Sequence, residues 1–268
     1  FTVRAKNAVA ISIEPTTNPV IPQGPWRKTY LDSSADGKYL ATNSYGGKPV
    51  IAYSDTQRGL LKLATWTGKK WSIQIVDGDS TKGGRTKNSV AGSVSICTTL
   101  VGKTKYLNLY YADLTNKDLR RASFNGKKWS YEVIDGDGPT IQSYKEAARV
   151  RTACDVSVSN ACAITPAGEQ VFYRDESHGI LLGAVRDGKD WRYEIVDGDS
   201  ELRNRTMGDV AFHLKAITVG KLVNVYYDSV LSVSNADKSA QRGEIRIATR
   251  ESAFAEDWSY QSVQQSSG

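Results

Sequence analysis

Apolar and polar residues alternate along several short segments of this chain, and each of these segments begins with a tryptophan. The segment WSYEVID at 129–135 places its tryptophan, tyrosine and valine at every second position. A period of two residues is typical of a β-strand with one buried face. Closely similar segments occur at 71–77 (WSIQIVD) and at 191–197 (WRYEIVD). The pattern therefore predicts equivalent strands that recur along the chain.

The residues before each of these tryptophans follow a common order. An almost continuous apolar run ends in Tyr-x-Asp or Tyr-Asp, and a polar turn and a second run centred on alanine come after it. Near-continuous apolar runs indicate strands that are buried on both faces. A turn with Gly68, Gly126 or Gly188 then leads to the tryptophan strand, as a β-hairpin requires. With one further strand ahead of each run, the unit has four antiparallel strands.

Tandem units of this kind predict an all-β protein whose fold is a β-propeller of four-stranded antiparallel blades, because one unit alone cannot bury both faces of its sheet. Four full blades are expected at about 35–79, 88–138, 150–200 and 207–264. We expect the recurring tryptophans to be structural and to wedge between neighbouring blades: Trp26, Trp71, Trp129, Trp191 and Trp258.

The two ends of the predicted propeller, which spans 24–268, do not match. Residues 26–32 repeat the tryptophan strand without the three strands that normally precede it, so we assign this strand to an additional blade. A lone outer strand at the start normally pairs with inner strands from the other end. We therefore expect the natural chain to continue beyond Gly268, with about five to seven blades in all. The alternative is four blades that close by themselves.

Net charge and hydropathy limit the partners to consider. The 268 residues carry a formal net charge of +6, which favours acidic partners. No segment approaches the roughly 20 apolar residues of a membrane-spanning helix, so no membrane insertion is expected. The basic residues of the long loops have no base-stacking aromatic residues between them, so nucleic acid is not an expected partner.

The three cysteines leave two interpretations open. Cys154 and Cys162 are eight positions apart, a spacing with which a disulfide could bridge two neighbouring strands, and Cys97 would then be a small buried side chain. The other interpretation is three inert buried thiols. The two histidines, His178 and His213, belong to different blades, so the sequence predicts no zinc site.

Tyrosine and aspartate residues at the ends of the predicted second strands are candidate ligand-binding residues. In a propeller, the loops after the second and fourth strands open on one face, and the longest loops of this chain lie there. We expect a ligand on this face or in a groove between blades. The side chains expected to hold it are Tyr53, Asp55, Tyr111, Asp113, Tyr173, Asp175, Tyr227 and Asp228.

Three interpretations of the aspartates compete. Each aspartate can cap the turn that follows it by accepting backbone N–H bonds, and recurrence in every blade favours this role. The Asp-Gly-Asp sequences could instead bind calcium, the one cofactor considered, although further ligands of a calcium loop are missing. Glycosidase chemistry needs one pair of carboxylates about 5 to 9 Å apart, and we assign no catalytic residue. The calcium candidates are Asp77, Asp79, Asp135, Asp137, Asp197 and Asp199.

The first residues resemble the end of a fibronectin type III domain. The segment FTVRAKN has Phe1, Val3, Ala5 and Asn7 in the register of an alternating strand near the end of that domain, and a proline-rich stretch follows. The resemblance implies that 1–23 is the end of such a domain with its linker, and that the adjoining domain belongs to the same polypeptide. The alternative is a third strand of a blade, because FTVRAKN also resembles EIRIATR.

From Trp26 to about Val263, the repeat resembles a bacterial repeat family of secreted and surface proteins. The shared form is YxD…GxLxxA…GxxWxxExVD, which Tyr53, Asp55 and Trp71 carry in the first full blade. The resemblance implies a β-propeller that is extracellular or at the cell surface. Propellers of this kind include lectins, glycosidases and scaffolds, so the fold does not select one chemistry.

We expect a non-catalytic extracellular binding or adhesion module that recognises carbohydrate, as a lectin does, or a surface protein. One alternative is a glycoside hydrolase of the sialidase-like or arabinanase-like propeller type. Another alternative is a structural subunit of a surface filament or of a phage-related appendage, because fold alone does not decide function.

Overall fold

The computed structural model describes residues 30–142, 144, 151–165, 168–207, 209–232, 241–251 and 258–265. The chain divides into two compact units, Phe1–Ser33 and Ser34–Gly268. The fibronectin resemblance at 1–23 and most of the predicted strand 26–32, with its tryptophan, lie outside the described residues. No helix in the described ranges has the length and hydrophobicity needed to cross a lipid bilayer.

The described residues of the second unit form four antiparallel sheets of four strands, which we call blades 1 to 4. Blade 1 consists of β1 (Leu40–Tyr45), β2 (Lys48–Asp55), β3 (Leu60–Trp66) and β4 (Trp71–Asp77). Blade 2 consists of β5 (Val94–Val101), β6 (Thr104–Asp113), β7 (Asp118–Phe124) and β8 (Trp129–Asp135). Blade 3 consists of β9 (Asn160–Thr165), β10 (Gly168–Asp175), β11 (Ile180–Asp187) and β12 (Asp190–Asp197). Blade 4 consists of β13 (Asp209–Val219), β14 (Leu222–Ser232), β15 (Gln241–Arg250) and β16 (Ser259–Gln265).

Strands that are consecutive in sequence lie side by side in every blade. The second strands are deeply buried, as their continuous apolar sequence predicts: in β6 all residues from Leu107 to Asp113 are buried. The fourth strands are more exposed because they form the outer edge of each sheet, and β4 buries only Val76 and Asp77. The prediction of an all-β chain with four-stranded antiparallel blades is confirmed.

The first strands pack against one another in chain order, β1 against β5, β5 against β9, and β9 against β13. Hydrophobic clusters fill the spaces between neighbouring blades. Leu61 of blade 1 shares a cluster with Leu109 of blade 2, and Leu119 of blade 2 shares one with Tyr173 of blade 3. The blades therefore stack face to face, with their first strands innermost.

The tryptophans of the last two blades contact the blade before them. The Nε1 atom of Trp191 donates to Glu132 Oε2 of blade 2 at 3.3 Å, and its ring lies edge-on to Tyr110. The ring of Trp258 lies edge-on to Phe172 of blade 3, with centroids 5.7 Å apart. In blades 1 and 2 the tryptophan packs on an aromatic ring of its own hairpin, Trp71 on Trp66 and Trp129 on Phe124.

A disulfide joins Cys97 of β5 to Cys162 of β9, with Cα atoms 6.2 Å apart. The predicted bond between Cys154 and Cys162 is therefore wrong. Because β5 and β9 are neighbouring first strands, Cys97 and Cys162 face each other across a blade boundary although 65 positions separate them in sequence. Cys154, in the loop before β9, is a free and buried thiol.

Candidate functional site

The aspartates that end the second strands cap the turns after them. Asp55, Asp113 and Asp175 are fully buried. Their Oδ1 atoms accept backbone N–H bonds at 3.2, 3.0 and 2.8 Å from Arg58, Thr115 and Ser177. Burial acts to raise the pKa of Asp55, but hydrogen bonds from Lys62 and Arg58 outweigh it and lower this pKa below its usual value. The geometry is that of structural caps.

A tyrosine of each later blade donates a hydrogen bond to an aspartate of the blade before it. We call these contacts the Tyr–Asp latches: Tyr111 to Asp77, Tyr173 to Asp135 and Tyr227 to Asp197. The oxygen–oxygen distance is 2.6 Å in the first latch and 2.7 Å in the second. Burial raises the pKa of all three tyrosines, so their phenols stay protonated and act as donors.

The second oxygen of each latch aspartate holds its own Asp-Gly-Asp turn. Asp135 Oδ1 accepts the N–H groups of Gly136 and Thr152 at 2.9 and 2.7 Å. Gly136 has a φ of 108°, a value that L residues with a side chain rarely adopt. Asp77 and Asp197 make equivalent backbone contacts. The other aspartate of each turn pairs with an arginine of its loop: Asp79 with Arg85, Asp137 with Arg151, and Asp199 with Arg205.

These contacts favour the turn-capping role of the Asp-Gly-Asp sequences over the calcium hypothesis. Both oxygens of each latch aspartate are engaged with protein donors inside the structure. The remaining aspartates each lie against a guanidinium group, whose positive charge would repel a divalent cation. In the described part of the chain, the six carboxylates do not form a calcium ligand set: Asp77, Asp79, Asp135, Asp137, Asp197 and Asp199.

Burial argues against a ligand-binding role for most of the residues predicted to have one. A second strand has a strand on each side and blades against its faces, so the side chains near the end of the strand are buried in blades 1 to 3. Six of the eight candidates are buried and lie outside the cavity described below: Tyr53, Asp55, Tyr111, Asp113, Tyr173 and Asp175. Of the eight, Tyr227 and Asp228 line that cavity.

Blade 4 departs from the repeat near the end of its second strand, directly after the latch residue Tyr227. Because Tyr227 and Tyr111 form equivalent latches, Ser229 occupies the position of Asp113, and Asp228 is one residue out of register with the other aspartates. The pairing of β13 with β14 shifts register opposite this segment. The side chain of Asp228 is therefore not a turn cap of the repeating kind.

Asp228 instead contacts His213 of the first strand. His213 Nδ1 lies 2.8 Å from Asp228 Oδ2, and the His213 backbone N–H donates to Asp228 Oδ1 at 3.0 Å. The His213 side chain is 90% exposed, so this pair faces open solvent. Blade 3 also has a His–Asp pair, His178 with Asp175, but its aspartate is buried and its histidine side chain is only 23% exposed. Of these two pairs in the described blades, the one in blade 4 is open to solvent.

The His213–Asp228 pair borders a cavity of about 850 Å³ at the common starting end of the first strands. We call this space the central cavity. All four blades contribute to its wall, and its polar residues are Lys38, Tyr39, Ser93, Ser159, Asn160, His213, Lys215, Tyr226, Tyr227 and Asp228. Its apolar residues are Leu40, Val94, Val158, Phe212, Leu214 and Ile245. A second cavity of about 310 Å³ lies among the same first strands.

Hydrogen bonds hold the polar wall of the central cavity in place. Ser95 Oγ donates to Asn160 Oδ1 at 2.6 Å, and Asn160 Nδ2 donates to Ser93 Oγ at 2.9 Å. Ser159 Oγ donates to the backbone oxygen of Ala211 at 2.6 Å. These bonds fix the first strands of three blades relative to one another, so the wall is organised before any ligand arrives.

The lining can bind a polar molecule of sugar size. Tyr39, Phe212 and Tyr226 offer aromatic rings, while amide, hydroxyl, imidazole and carboxylate groups offer hydrogen bonds. Lys38 and Lys215 carry two positive charges against the single carboxylate of the lining. Sequence reasoning missed most of these residues because first strands carry no distinctive motif. The available signal was the Tyr-Asp of blade 4, which breaks the Tyr-x-Asp order of the other blades.

No protein family model matches this chain, and no curated protein sequence matches it. Solved structures do match. An α-L-arabinofuranosidase from Fusarium graminearum, in complex with an iminosugar inhibitor, has a TM-score of 0.52 and 10% identity, over 86% of this chain and 68% of that chain. A mutant of NanB sialidase from Streptococcus pneumoniae has a TM-score of 0.50 and 8% identity, over 91% of this chain and 55% of that chain.

A fucose-specific lectin from Aleuria aurantia also matches, with 11% identity and a TM-score of 0.43, over 84% of this chain and 75% of that chain. This chain spans 55% to 68% of the lengths of the arabinofuranosidase and the sialidase. At these identities the likeness concerns the fold alone. The chain is therefore similar in fold to β-propeller proteins.

Proposed function

We propose that this chain is a carbohydrate-binding β-propeller and that the central cavity holds the ligand. The cavity itself carries the proposal, because it is concave, large enough for a small saccharide, and lined by aromatic rings and fixed polar groups. Its wall includes the solvent-exposed His213–Asp228 pair, which departs from the repeat. The two matching structures with the higher TM-scores are proteins that act on sugars by name, which supports this ligand class.

The lining favours binding over hydrolysis. Most glycosidases use two carboxylates about 5 to 9 Å apart. Asp228 is the single carboxylate among the lining residues that the structure describes, and it is held by His213. A single carboxylate accepts hydrogen bonds from sugar hydroxyls. Hydrolysis stays the alternative because the arabinofuranosidase and the sialidase share the fold.

The positive charges in the wall of the central cavity favour an acidic saccharide as the ligand. Lys38 and Lys215 face the cavity, and the whole chain has a net charge of +6. Ammonium groups attract a carboxylate or sulfate on a sugar ring, and this attraction weakens as salt screens it. We therefore assign uronic-acid, sialic-acid or sulfated glycans as the ligand class, ahead of neutral ones.

A glycan array probed at low and at physiological salt tests this proposal. Acidic glycans should bind more strongly, and Lys215→Ala and Tyr226→Ala should each weaken that binding by about tenfold, which corresponds to about 1.4 kcal/mol. The matched control is Lys103→Ala, because Lys103 is exposed in the hairpin between β5 and β6, outside the cavity lining. Binding that the two cavity variants leave unchanged contradicts the proposal.

Sugar release from a panel of polysaccharides tests the hydrolytic alternative. If binding is the function, no reducing sugar should accumulate beyond the level of a protein-free sample. Release that Asp228→Asn abolishes, while Asp79→Asn leaves it intact, would overturn the non-catalytic assignment. Asp79 is the fair control because it is a partly exposed carboxylate on a loop outside the cavity lining.

We also propose an extracellular or surface location. The support is the disulfide between Cys97 and Cys162, because such bonds persist mainly in oxidising compartments. Fractionation of the natural host with an antibody against this chain tests the location. Recovery of the protein in the reduced cytosolic fraction would contradict it.

A further proposal concerns the blade number: we infer that another four-stranded blade of the same polypeptide covers the outer side of blade 4. Four apolar side chains there are 46% to 60% exposed, and we call this surface the trailing face: Ile217, Val219, Ile245 and Val263. By strand register Cys97 has the position of Ile217, and Cys97 is bonded to the next blade. This equivalence supports a sheet as the occupant.

Matched measurements on the natural full-length polypeptide and on residues 1–268 test this inference. Val263 is the residue to change, because Ile245 also lines the central cavity. Val263→Asp should lower the thermal midpoint of the full-length protein by more than about 4 °C, because it buries a charge in a covered interface. The same change in residues 1–268 should leave the midpoint within about 1 °C. Equal effects in both proteins contradict the inference. Self-association of residues 1–268 that Val263→Asp removes would identify a second copy as the occupant instead.

A further inference from the structure

A cluster of three different metal-ligating side chains lies in blade 3, apart from the central cavity. Cys154 belongs to the loop between β8 and β9, Asp175 ends β10, and His178 lies in the turn before β11. Their Sγ, carboxylate oxygen and imidazole nitrogen atoms all lie within 4.8 Å of one another. Cys154 and Asp175 are buried, and the His178 side chain is 23% exposed.

The distances in this cluster approach those of a tetrahedral metal site. Cys154 Sγ is 3.6 Å from His178 Nδ1, and His178 Nδ1 is 2.8 Å from Asp175 Oδ2. Around tetrahedral zinc, with bonds of about 2.3 Å to sulfur and about 2.0 Å to nitrogen, those two ligand atoms would be about 3.5 Å apart. The nitrogen and oxygen would be about 3.3 Å apart. A shift of about half an ångström in the imidazole therefore makes room for the ion.

The buried carboxylate of Asp175 lacks the positive partners that its equivalent has in blade 1. Asp55 Oδ2 contacts Arg58 Nη1 and Lys62 Nζ, each at 2.9 Å. Asp175 Oδ2 contacts the Tyr144 hydroxyl at 2.7 Å and His178, and in the described part of the chain no lysine or arginine contacts it. A buried charge needs a compensating charge or an equivalent set of donors. A metal ion would supply that charge.

A buried hydroxyl lies beside the same cluster. Thr152 is fully buried, and its side chain interacts with the Cys154 thiol and the Tyr144 hydroxyl. Within the described ranges, its Oγ1 atom makes no hydrogen bond of good geometry. Water bound to an ion would offer this hydroxyl a better-aligned partner.

We propose that Cys154, Asp175 and His178 bind one zinc ion, which fastens the loop between β8 and β9 to blade 3. The mixed sulfur, nitrogen and oxygen ligands favour zinc over calcium or magnesium, which take oxygen ligands. Asp175 Oδ1 remains the cap of its turn while Oδ2 is the ligand. Because zinc binds the thiolate form of cysteine, Cys154 must lose its thiol proton when the ion binds. The ligands come from two segments, the loop before β9 and the turn between β10 and β11, so the histidine count alone does not indicate this site.

Calorimetric titration of chelator-treated protein with zinc chloride tests the site. The full chain should bind one equivalent, and Cys154→Ser and His178→Ala should each reduce the affinity by more than about 100-fold, since even residues behind a ligand cost 10- to 100-fold. The matched control is His213→Ala, which removes the histidine of the other His–Asp pair and should leave zinc binding unchanged. Retained affinity in both ligand variants overturns the proposal.

Two further readouts separate ligation from a general effect on folding. Cobalt(II) should give a thiolate-to-cobalt charge-transfer band that is absent in Cys154→Ser and in His178→Gln. Cys154 is the one cysteine outside the disulfide, so its alkylation by iodoacetamide reports on this position alone. Zinc should slow that alkylation by at least about tenfold, because a metal-bound thiolate is not a free nucleophile. No cobalt band and unchanged alkylation show that the cluster binds no metal.

Discussion

The interfaces between blades and the trailing face of blade 4 have the same residue types in the same register but opposite exposure. Leu61, Leu119 and Leu181 each lie opposite the latch aspartate of their blade and are at most 1% exposed. Ile245, at the same position in blade 4, is 46% exposed. Val263 is 54% exposed where Val76, Ile134 and Val196 are fully buried. This difference shows that the repeat determines which type of residue occupies a position. Whether that side chain is buried depends on a neighbouring blade.

The hydrogen-bonding positions differ between these regions as well. Gln264 pairs with Ile245 and so has the place of the latch aspartate. At the other end, Ile73 of blade 1 is 41% exposed at a position that is tyrosine in the later blades. Those tyrosines donate to backbone oxygens of the preceding blade: Tyr131 to Val76, Tyr193 to Ile134 and Tyr260 to Val196. The residue paired with Ile245 is therefore glutamine instead of aspartate, and Ile73 has no hydroxyl group to donate, unlike its equivalents at the inner interfaces.

Truncating the apolar side chain at matched positions should separate the two regions most strongly. Leu119→Ala should lower the free energy of unfolding by about 2 to 5 kcal/mol, because it opens a cavity between blades 2 and 3. Ile245→Ala should change it by less than about 1 kcal/mol, because the side chain is already half exposed. Urea unfolding of residues 1–268 measures both values. Equal losses would mean that the trailing face is covered.

Removing a latch hydroxyl should have the next largest effect. Tyr173→Phe should cost about 1.5 to 3 kcal/mol, because Asp135 then loses a donor to a buried carboxylate. Tyr111→Phe should cost less, because Arg120 Nε lies 3.4 Å from Asp77 Oδ2 and remains. Tyr226→Phe, at a half-exposed phenol of the cavity, is the control and should be close to neutral. Thermal and urea unfolding check this order, and a reversed order would show that the latches carry no stability.

A pH series should test a buried carboxyl group at the start of β7 in blade 2. Burial, with the nearby charges of Asp113 and Asp137, raises the pKa of Asp118 to about 6. Because the folded state binds this proton more tightly than the unfolded state, stability falls as pH rises from about 4 through about 6. Asp118→Asn should remove this fall and stabilise the protein at pH 7.5 by about 1 to 2 kcal/mol. Urea unfolding at pH 4.5 and 7.5 measures it, and an unchanged pH slope would contradict the assignment.

Exchanging tyrosine and isoleucine on the fourth strands should give the smallest effects. Tyr193→Ile removes the hydrogen bond to the Ile134 oxygen and should cost about 1 kcal/mol. Ile73→Tyr, at an exposed position of residues 1–268, should stay within about 0.5 kcal/mol. Differential scanning calorimetry measures the change in stability of both variants. A clear gain in Ile73→Tyr would show that a carbonyl acceptor faces blade 1.

The sequence predicted the blades well because strand signals are local. Alternation, glycine turns and continuous apolar runs depend on neighbours within about ten residues, and the first three blades follow all three signals. The capping role of Asp55, Asp113 and Asp175 was also within reach, since a recurring aspartate before a turn has a local partner. The positive φ of Gly136 is also a local property, because it follows from the turn that this glycine forms.

Local sequence signals do not identify which residues pair with one another in the folded protein. The disulfide joins Cys97 to Cys162 because two first strands lie side by side, and spacing along the chain had favoured Cys154. The sequence pattern alone favours a ligand-binding role for the latch tyrosines, because it does not show that the preceding blade supplies an aspartate. The pattern also gives no sign that His213 and Asp228 meet, although folding places His213 Nδ1 2.8 Å from Asp228 Oδ2.

By itself, the sequence determined the strand order, the turns and which positions are apolar, because those properties follow from backbone preferences and from neighbours close in the chain. The tertiary structure alone decided which apolar positions are covered, which cysteines are bonded and which polar groups meet at the central cavity. The physical reason is that burial and pairing between blades arise from sheets about 60 residues apart in sequence, whose contact no local pattern encodes.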